Sequence, residues 1–417
     1  MDFTLPGHLK DLLSSIDTFI EKEIKPLEDE DDNIRFFDHR REFARTDFDR
    51  GGVPRQDWLD LLSEVRRRAD RAGFYRYGIS SELGGGDGTN LDMAVIREHL
   101  AHLGLGLHND LQSEHSIVGN LVFVELLHRH GTPEQREQFI EPMLRGEAGL
   151  AFALTEPDHG SDATWMSTRA VRDGSDWIIN GIKRFNTVGP GTTHDVIFAR
   201  TSGKPGDAKG ITAFIVPLTT PGLNIPTYWW TFNMPTDHAE VTLNDVRVPS
   251  TWILGEEGEG LSVAQTFVHE NRIRQAAASI GAAQYCIDES VRYANQRIVF
   301  GKPLSRNQAI QWPLVELHTE AELVRGLIYK TSFEMDEFEV AGRHPVEIGH
   351  KVSMCNYRGN RLACDAADRA IQVHGGIGYT RHLPFEHIYR HHRRYRITEG
   401  SEEMQMRRVA GQLFGFL

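Results

Sequence analysis

The stretch Phe152-Ala-Leu-Thr-Glu-Pro-Asp-His-Gly-Ser-Asp-Ala163 decides how the rest of the chain is read. It opens as an apolar strand and closes in a polar turn. Ala151, Ala153 and the small residues after Pro157 leave room for a flat group against the backbone. Thr155, Gly160, Ser161 and Asp162 offer hydroxyls and backbone N–H groups where the strand stops. That end suits an acceptor-rich ring system joined to a phosphate or pantetheine chain. The same text also reads as a strand followed by an ordinary Pro/Asp/Gly turn, so the surroundings decide.

Upstream the pattern is helical. Leu12, Leu13, Ile16, Phe19, Ile20 and Ile24 recur at three- and four-residue steps, with Pro26 as the expected stop. Residues 27–54 carry few apolar residues and many charges, and read as an exposed, extended loop. The helical period returns at Trp58 to Ala69, at Leu91 to Leu103 and from Ser116 to His130, and Pro133 opens a further helix. Downstream, from about residue 148 to 248, the period changes to two. Asp173-Gly-Ser-Asp176 reads as a hairpin turn, and Asn180-Gly181 as a second one. After Gly255-Glu-Glu-Gly-Glu-Gly260, long runs with Ala276, Ala277, Ile280 and Ala283, then Leu314 to Met335, then Val346 to Ala370, form a bundle. The expected fold is α+β multidomain: an N-terminal α-helical domain (1–149), a central β-barrel or sandwich (150–256) and a C-terminal four-helix bundle (257–417).

The 417 residues are 40% hydrophobic and 25% charged, an ordinary globular balance with length for more than one domain. A net charge of −13 argues against nucleic acid or an anionic membrane as the main partner. Cys286, Cys355 and Cys364 lie scattered in apolar text, with neither disulfide nor zinc spacing, and no metal is expected. Buried free thiols fit a reducing cytoplasm. The N-terminus lacks the form of a signal peptide, and no stretch reaches the length of a membrane span.

Five segments carry a resemblance. Leu154-Thr-Glu-x-x-x-Gly-Ser-Asp162 resembles the signature of the acyl-CoA dehydrogenase family. Trp177-Ile-Ile-Asn-Gly-Ile-Lys-Arg-Phe-Asn-Thr187 is similar to that family's second flavin segment. Arg297-Ile-Val-Phe-Gly-Lys-Pro-Leu-Ser-Arg-Asn-Gln308, Gln372-Val-His-Gly-Gly-Ile-Gly378 and Ile397-Thr-Glu-Gly-Ser401 resemble its C-terminal motifs, in family order. The resemblance implies FAD-dependent α,β-dehydrogenation of an acyl-CoA substrate, with electrons leaving through an electron-transfer flavoprotein. It implies a homo-oligomer, a dimer of dimers, because in relatives the C-terminal segments reach a cofactor bound mainly by a neighbouring subunit.

For the cofactor the resemblance points to Phe152, Leu154, Thr155, Gly160, Ser161, Phe185, Thr187, Arg297, Phe300, Gln308, Gln372, Gly375, Gly376, Ser401 and Glu403. Phe185 stands where relatives more often have Trp, and Glu403 where they often have Gln. For the substrate it points to Ser161, Arg272 and Gly400, and for the catalytic base to Glu399. A glutamate desolvated by flavin and acyl chain would have its pKa raised toward neutrality. One branch of the family carries its base just before the equivalent of Arg272. Here that residue is Asn271, which cannot take a proton. Two stretches depart from the pattern: Thr231-Phe-Asn-Met-Pro-Thr-Asp-His238, and the basic run His387 to Arg396, expected as a solvated helix face. The alternatives are an oxygen-using flavoprotein of the same fold and a flavin-free scaffold.

Overall fold

Leu9, Ile16 and Phe19 bury one stripe of the first helix, α1 (Gly7–Phe19). The computed structural model describes residues 4–109, 116–343 and 345–416. Pro26 does not stop the first helical run. A π turn at Ile20–Ile24 leads into Lys25–Asp29, and the run passes through Pro26 directly after that turn. The charged text that follows is not a bare loop. It folds through the 3-10 segments Glu30–Phe36 and His39–Ala44 and a ribbon of Thr46–Asp47 against Val53–Pro54. Phe36, His39, Arg45 and Thr46 are buried and anchor it.

Four helices follow: α2 (Gln56–Arg71), α3 (Asn90–His102), α4 (Val122–His130) and α5 (Pro133–Arg145). Reciprocal capping boxes start α3 (Thr89 with Asp92) and α5 (Thr132 with Gln135, ahead of Pro133). The helix expected from Ser116 begins only at Val122.

Eight strands then form one sheet: β1 (Leu150–Ala153), β2 (Arg169–Asp173), β3 (Asp176–Thr187), β4 (His194–Arg200), β5 (Ile211–Pro217), β6 (Leu223–Tyr228), β7 (His238–Pro249) and β8 (Ile253–Leu254). Their order is β8-β5-β4-β2-β3-β7-β6, and β1 pairs in parallel with β4. The outermost strands, β8 and β6, do not pair, so the sheet is open and the expected barrel does not close. Trp177, Ile179, Ile197, Phe214, Val216, Val241 and Leu243 fill its core. Asp173 and Asp176 close the β2–β3 hairpin as expected. Asn180-Gly181 does not turn the chain. It sits inside β3 at a register shift against β7, where Asn180 Nδ2 donates to Asp245 Oδ1 (3.0 Å). A Cβ on Gly181 would lie 2.3 Å from Thr168 Oγ1, so the glycine serves a close approach.

The C-terminal part holds α6 (Gly260–Gln296), α7 (Gln308–Val340), α8 (Gly349–His374), α9 (Phe385–Tyr395) and α10 (Glu402–Phe414). Ala276, Ala277, Ala283, Ala321, Val324, Val352, Leu362 and Ala366 build the bundle core. Ala94 and Ala101 of α3 join the same core, so an N-terminal helix belongs to the bundle. A Cβ on Gly281 would lie 2.1 Å from the Glu98 carbonyl oxygen, which explains the small face of α6. Helices α9 and α10 pack on α8. All three cysteines are buried free thiols, and burial pushes Cys355 up to about 12 and Cys364 to about 11.

The chain gathers into two compact units. The helical unit comprises Met1–Arg41, Leu61–Asn120 and His269–Leu417; the sheet unit comprises Glu42–Asp60 and Leu121–Val268. No helix among the described residues is long and apolar enough to cross a membrane. Among the described residues, no cluster of His, Cys, Asp or Glu could hold a metal ion.

Candidate active site

In the helical unit the site is a loop. Helix α9 ends at Tyr395 and α10 begins at Glu402. Between them Glu399 adopts φ +56° and Gly400 φ +86°. A non-glycine residue held in the left-handed region stores about 1–3 kcal/mol and needs its surroundings to hold it there. Arg272 supplies one hold. Its Nε and Nη2 both donate to the Glu399 carbonyl oxygen, at 2.8 and 2.5 Å. Arg272 is buried, and burial, with Arg408 nearby, brings its guanidinium down to about 10. Gly400 is required by the same contact, because a Cβ there would lie 2.7 Å from Arg272 Nη2.

The far side of the loop is tied by charge. Arg396 Nη2 and Nε donate to the Glu402 carboxylate at 2.9 and 3.1 Å, and Arg361 reaches it at 3.2 Å. The Arg396 bond, ahead of the burial that opposes it, holds the Glu402 carboxyl below the usual carboxylate range. Glu399 itself is partly exposed. Ser401 precedes α10 with no side-chain cap bond, and Glu403 is exposed. Asn271 is buried and accepts from Arg274 Nη2 (3.3 Å). The basic run is not a solvated face: His387, His391, His392 and Tyr395 are buried within the unit.

In the sheet unit the site is a bulge beside a strand end. A register shift between Arg184 and Asn186 turns Phe185 out at φ +65°, half exposed. Thr187 is also exposed, while Asn186 between them is fully buried. The Thr155 carbonyl accepts from Arg184 N (2.9 Å), which places the end of β1 against the bulge. Leu154, Thr155, Phe185 and Thr187 thus come together. Phe152 instead turns its ring inward, stacked on Phe267 at 4.1 Å. Gly160 and Ser161 lie exposed beyond the Glu156–His159 turn.

That turn rests on residues the sequence reading passed over. Lys183 is fully buried, and its Nζ donates to Glu156 Oε1 (2.9 Å) and to the Leu154 carbonyl (3.2 Å). Glu156 also accepts from Ser167 N (2.5 Å) and Thr168 N (2.9 Å). Burial works against both charges. Lys183 and the N–H donors outweigh it at Glu156, whose carboxyl is held below its ordinary value, while burial brings the Lys183 ammonium down from its own. The signal was Lys183 on an inward position of an otherwise apolar alternation.

Behind the bulge, Asn186 Nδ2 donates to Asp195 Oδ2 (2.6 Å). Burial raises the Asp195 carboxyl from 3.8 to about 7, against the pull of Asn186 and Lys183. A folded-state pKa above the unfolded one gives stability that is complete below about 3.8 and lost as pH rises through about 7. Chemical denaturation of wild type across that window is expected to show stability falling by up to about 1.4 kcal/mol per pH unit from this group. Asp195→Asn is expected to flatten that dependence.

A third set stands on the surface of the helical unit. Arg297 and Phe300 lie on the ribbon of Ile298–Val299 against Lys302–Pro303, and Gln308 starts α7. Gln372, Gly375 and Gly376 stand at the end of α8. All six are exposed, Phe300 fully so. A Cβ at either glycine would meet nothing within 4 Å, so both backbones are open to a ligand or a partner.

Three family models match the chain in sequence order. They are described as the acyl-CoA dehydrogenase N-terminal domain (residues 8–147), middle domain (151–246) and C-terminal domain (258–414). The chain belongs to the acyl-CoA dehydrogenase family. It is similar to the short-chain specific acyl-CoA dehydrogenase of Megasphaera elsdenii, with 30% identity over 99% of this chain and 100% of that protein. It is 32% identical to the caffeyl-CoA reductase–Etf complex subunit CarC of Acetobacterium woodii, over 85% of this chain and 90% of the relative. Among solved structures, the butyryl-CoA dehydrogenase of Megasphaera elsdenii superposes with a TM-score of 0.77 at 27% identity, covering 99% of this chain and 100% of the other.

The protein is therefore an oxidoreductase of the acyl-CoA dehydrogenase class, and its cofactor is FAD. The residues present fit that group. An exposed aromatic ring turned out at a bulge, with Thr187 exposed on the same strand and the strand end that carries Thr155 bonded to Arg184 beside it, suits a flat heteroaromatic ring. Arg297 and the open Gly375-Gly376 backbone suit a pyrophosphate.

Proposed function

We propose that the chain converts an acyl-CoA thioester to the trans-2-enoyl-CoA, with Glu399 as the base that takes the α-proton. FAD, when bound, supplies the hydride acceptor at N5. The observation that carries the reading is Glu399 at the tip of a loop whose backbone is gripped by Arg272 in a left-handed conformation. An amide at Asn271 cannot take the proton. Water exclusion by the acyl chain would strengthen the Glu399 carboxylate as a base. The Glu399 backbone N–H would hold the thioester oxygen where enolate charge develops, and Gly400 would let the thioester approach.

Phe185 would stack on the flavin ring, with Thr155, Thr187 and the Leu154 backbone at its edge. Phe152 would contribute backbone, and Gly160 and Ser161 would serve flavin or pantetheine. Ser401 and Glu403 complete the set at the loop. We assign Arg297, Phe300, Gln308, Gln372, Gly375 and Gly376 to the cofactor of a second copy. Their common exposure supports this, as do the exposed Trp312, Val315, Leu323 and Ile377 on α7 and after α8. The proposed assembly is a dimer of dimers. The Etf-complex relative supports an electron-transfer flavoprotein as acceptor. The reading divides the chain into domains at 1–149, 150–256 and 257–417, and places it in a reducing cytoplasm.

The test is anaerobic bleaching of the purified flavoprotein by acyl-CoA thioesters, with the enoyl-CoA product identified. Arg297→Lys keeps the charge but loses the bidentate fork. It is expected to weaken FAD retention about 10-fold, read from flavin-to-protein ratios after gel filtration. An unchanged ratio would remove Arg297 from the pyrophosphate.

A further inference from the structure

Beneath the Glu399 loop runs a line of side chains that are all fully buried: Gln405, Asn356, Asn360, Ser279 and His392. They come from four helices, α10, α8, α6 and α9. Each link has a hydrogen bond. Gln405 Nε2 donates to the Gly400 carbonyl (2.8 Å) and to Asn356 Oδ1 (2.8 Å). Asn356 Nδ2 donates to the Arg272 carbonyl (2.8 Å) and to Gln275 Oε1 (3.2 Å). Asn360 Nδ2 donates to Asn356 Oδ1 (3.0 Å) and to the Tyr395 carbonyl (3.1 Å). Ser279 Oγ lies 2.6 Å from Asn360 Oδ1 and 2.9 Å from His392 Nδ1.

The donor count fixes the direction of the line. The amide groups of Gln405, Asn356 and Asn360 each have two N–H bonds, and each meets two acceptors. Asn360 Oδ1 must therefore accept, so Ser279 gives it its single proton. Ser279 Oγ is then the acceptor for an Nδ1–H on His392, which sets the histidine tautomer. No amide can flip without opposing an oxygen to an oxygen.

We propose that Gln405, Asn356, Asn360 and Ser279 are positioning residues for proton abstraction, a one-way hydrogen-bond relay that fixes the Gly400–Ser401 peptide, next to the base, from inside the bundle. The inference rests on Glu399 as the base. The relay holds the carbonyls of Tyr395 and Gly400, while Arg272 holds that of Glu399. Asn356 is common to both grips, because it ties the Arg272 backbone and anchors Gln405. Arg272 and Gln405 therefore form one device that holds the two peptides flanking Gly400, and loss of either end loosens the loop that carries the base. A base moved by about 1 Å loses about 100-fold in rate, because the reacting atoms must meet in line.

Gln405→Met keeps the volume and removes both donors. With the panel acyl-CoA that bleaches wild type fastest, its limiting bleaching rate is expected to fall about 10- to 100-fold. Its flavin content and its half-saturating thioester concentration are expected to stay at wild-type values. Amide exchange is expected to speed up in peptides covering 396–402 and to stay unchanged across 150–187. A merely structural residue would not split the rate from binding in this way. Ser279→Ala deletes one hydroxyl at the far end and serves where Gln405→Met does not fold. It removes the bonds to Asn360 and His392 together and is expected to slow bleaching about 5-fold, with the same exchange signature. The double variant is expected to be no slower than Gln405→Met alone, since both cuts open one line. Glu399→Gln run in parallel separates the two ideas. Wild-type bleaching in Glu399→Gln overturns the base. Silence in Glu399→Gln, with wild-type rates in the folded relay variants, overturns the relay alone.

Discussion

Glu399→Gln is expected to slow anaerobic flavin bleaching by acyl-CoA by about 10²–10⁴-fold, the range supplied by a positioned general base. The amide matches the carboxylate in size and cannot take a proton. The loop keeps the restraints that do not use the Glu399 carboxylate. Arg272 holds the Glu399 carbonyl, Gln405 the Gly400 carbonyl, and the Glu402 side chain is tied to Arg396 and Arg361. Flavin content and thioester binding should therefore match wild type while the rate collapses. Rapid-mixing absorbance of the flavin band measures both in one experiment. Equal loss of binding and rate would instead mark Glu399 as a recognition residue.

Lys183→Met is expected to cost about 3–5 kcal/mol of stability, the range for breaking a buried ion pair by removing one partner. Its ammonium is fully buried, Glu156 is nearly so, and the pair lies 2.9 Å apart. Without Lys183 the Glu156 carboxylate keeps only the N–H groups of Ser167 and Thr168. The turn from Leu154 to Thr168 carries Thr155 and Ser161, so flavin retention should weaken with stability. Adding Glu156→Gln removes the stranded charge and is expected to recover much of the loss. Urea denaturation of the three proteins checks this, and a double variant as unstable as Lys183→Met would place the cost in packing instead.

The parts of this architecture that repeat at a helical or strand period were legible in the sequence. The alanine face of α6 and the alternation of β3 and β4 fall where the residues put them. The Phe185-Asn-Thr187 and Thr398-Glu-Gly-Ser401 text led to a bulge and to a strained loop, both with exposed or half-exposed side chains. Asn180-Gly181 misled because Asn-Gly serves a bulge as well as a hairpin. The pairing of Asn180 with Asp245, 65 residues away in sequence, distinguishes them. The run His387 to Arg396 misled for a different reason. Its histidines are buried within the helical unit, and hydropathy cannot tell a buried histidine from a solvated one. The same holds for Asn356, Asn360 and Gln405. Lys183 was passed over for no such reason, since a lysine at an inward position of an apolar strand is a signal that the alternation itself carries.

The most direct test of the account is anaerobic titration of the purified wild-type flavoprotein with straight-chain, branched and aryl acyl-CoA thioesters, with the products analysed. The account predicts that at least one thioester bleaches the flavin and is recovered as its trans-2-enoyl-CoA, one equivalent per flavin. If no thioester bleaches it, while NAD(P)H or a reductase reduces it and oxygen is consumed, the dehydrogenation account is contradicted and an oxygen-using reaction takes its place.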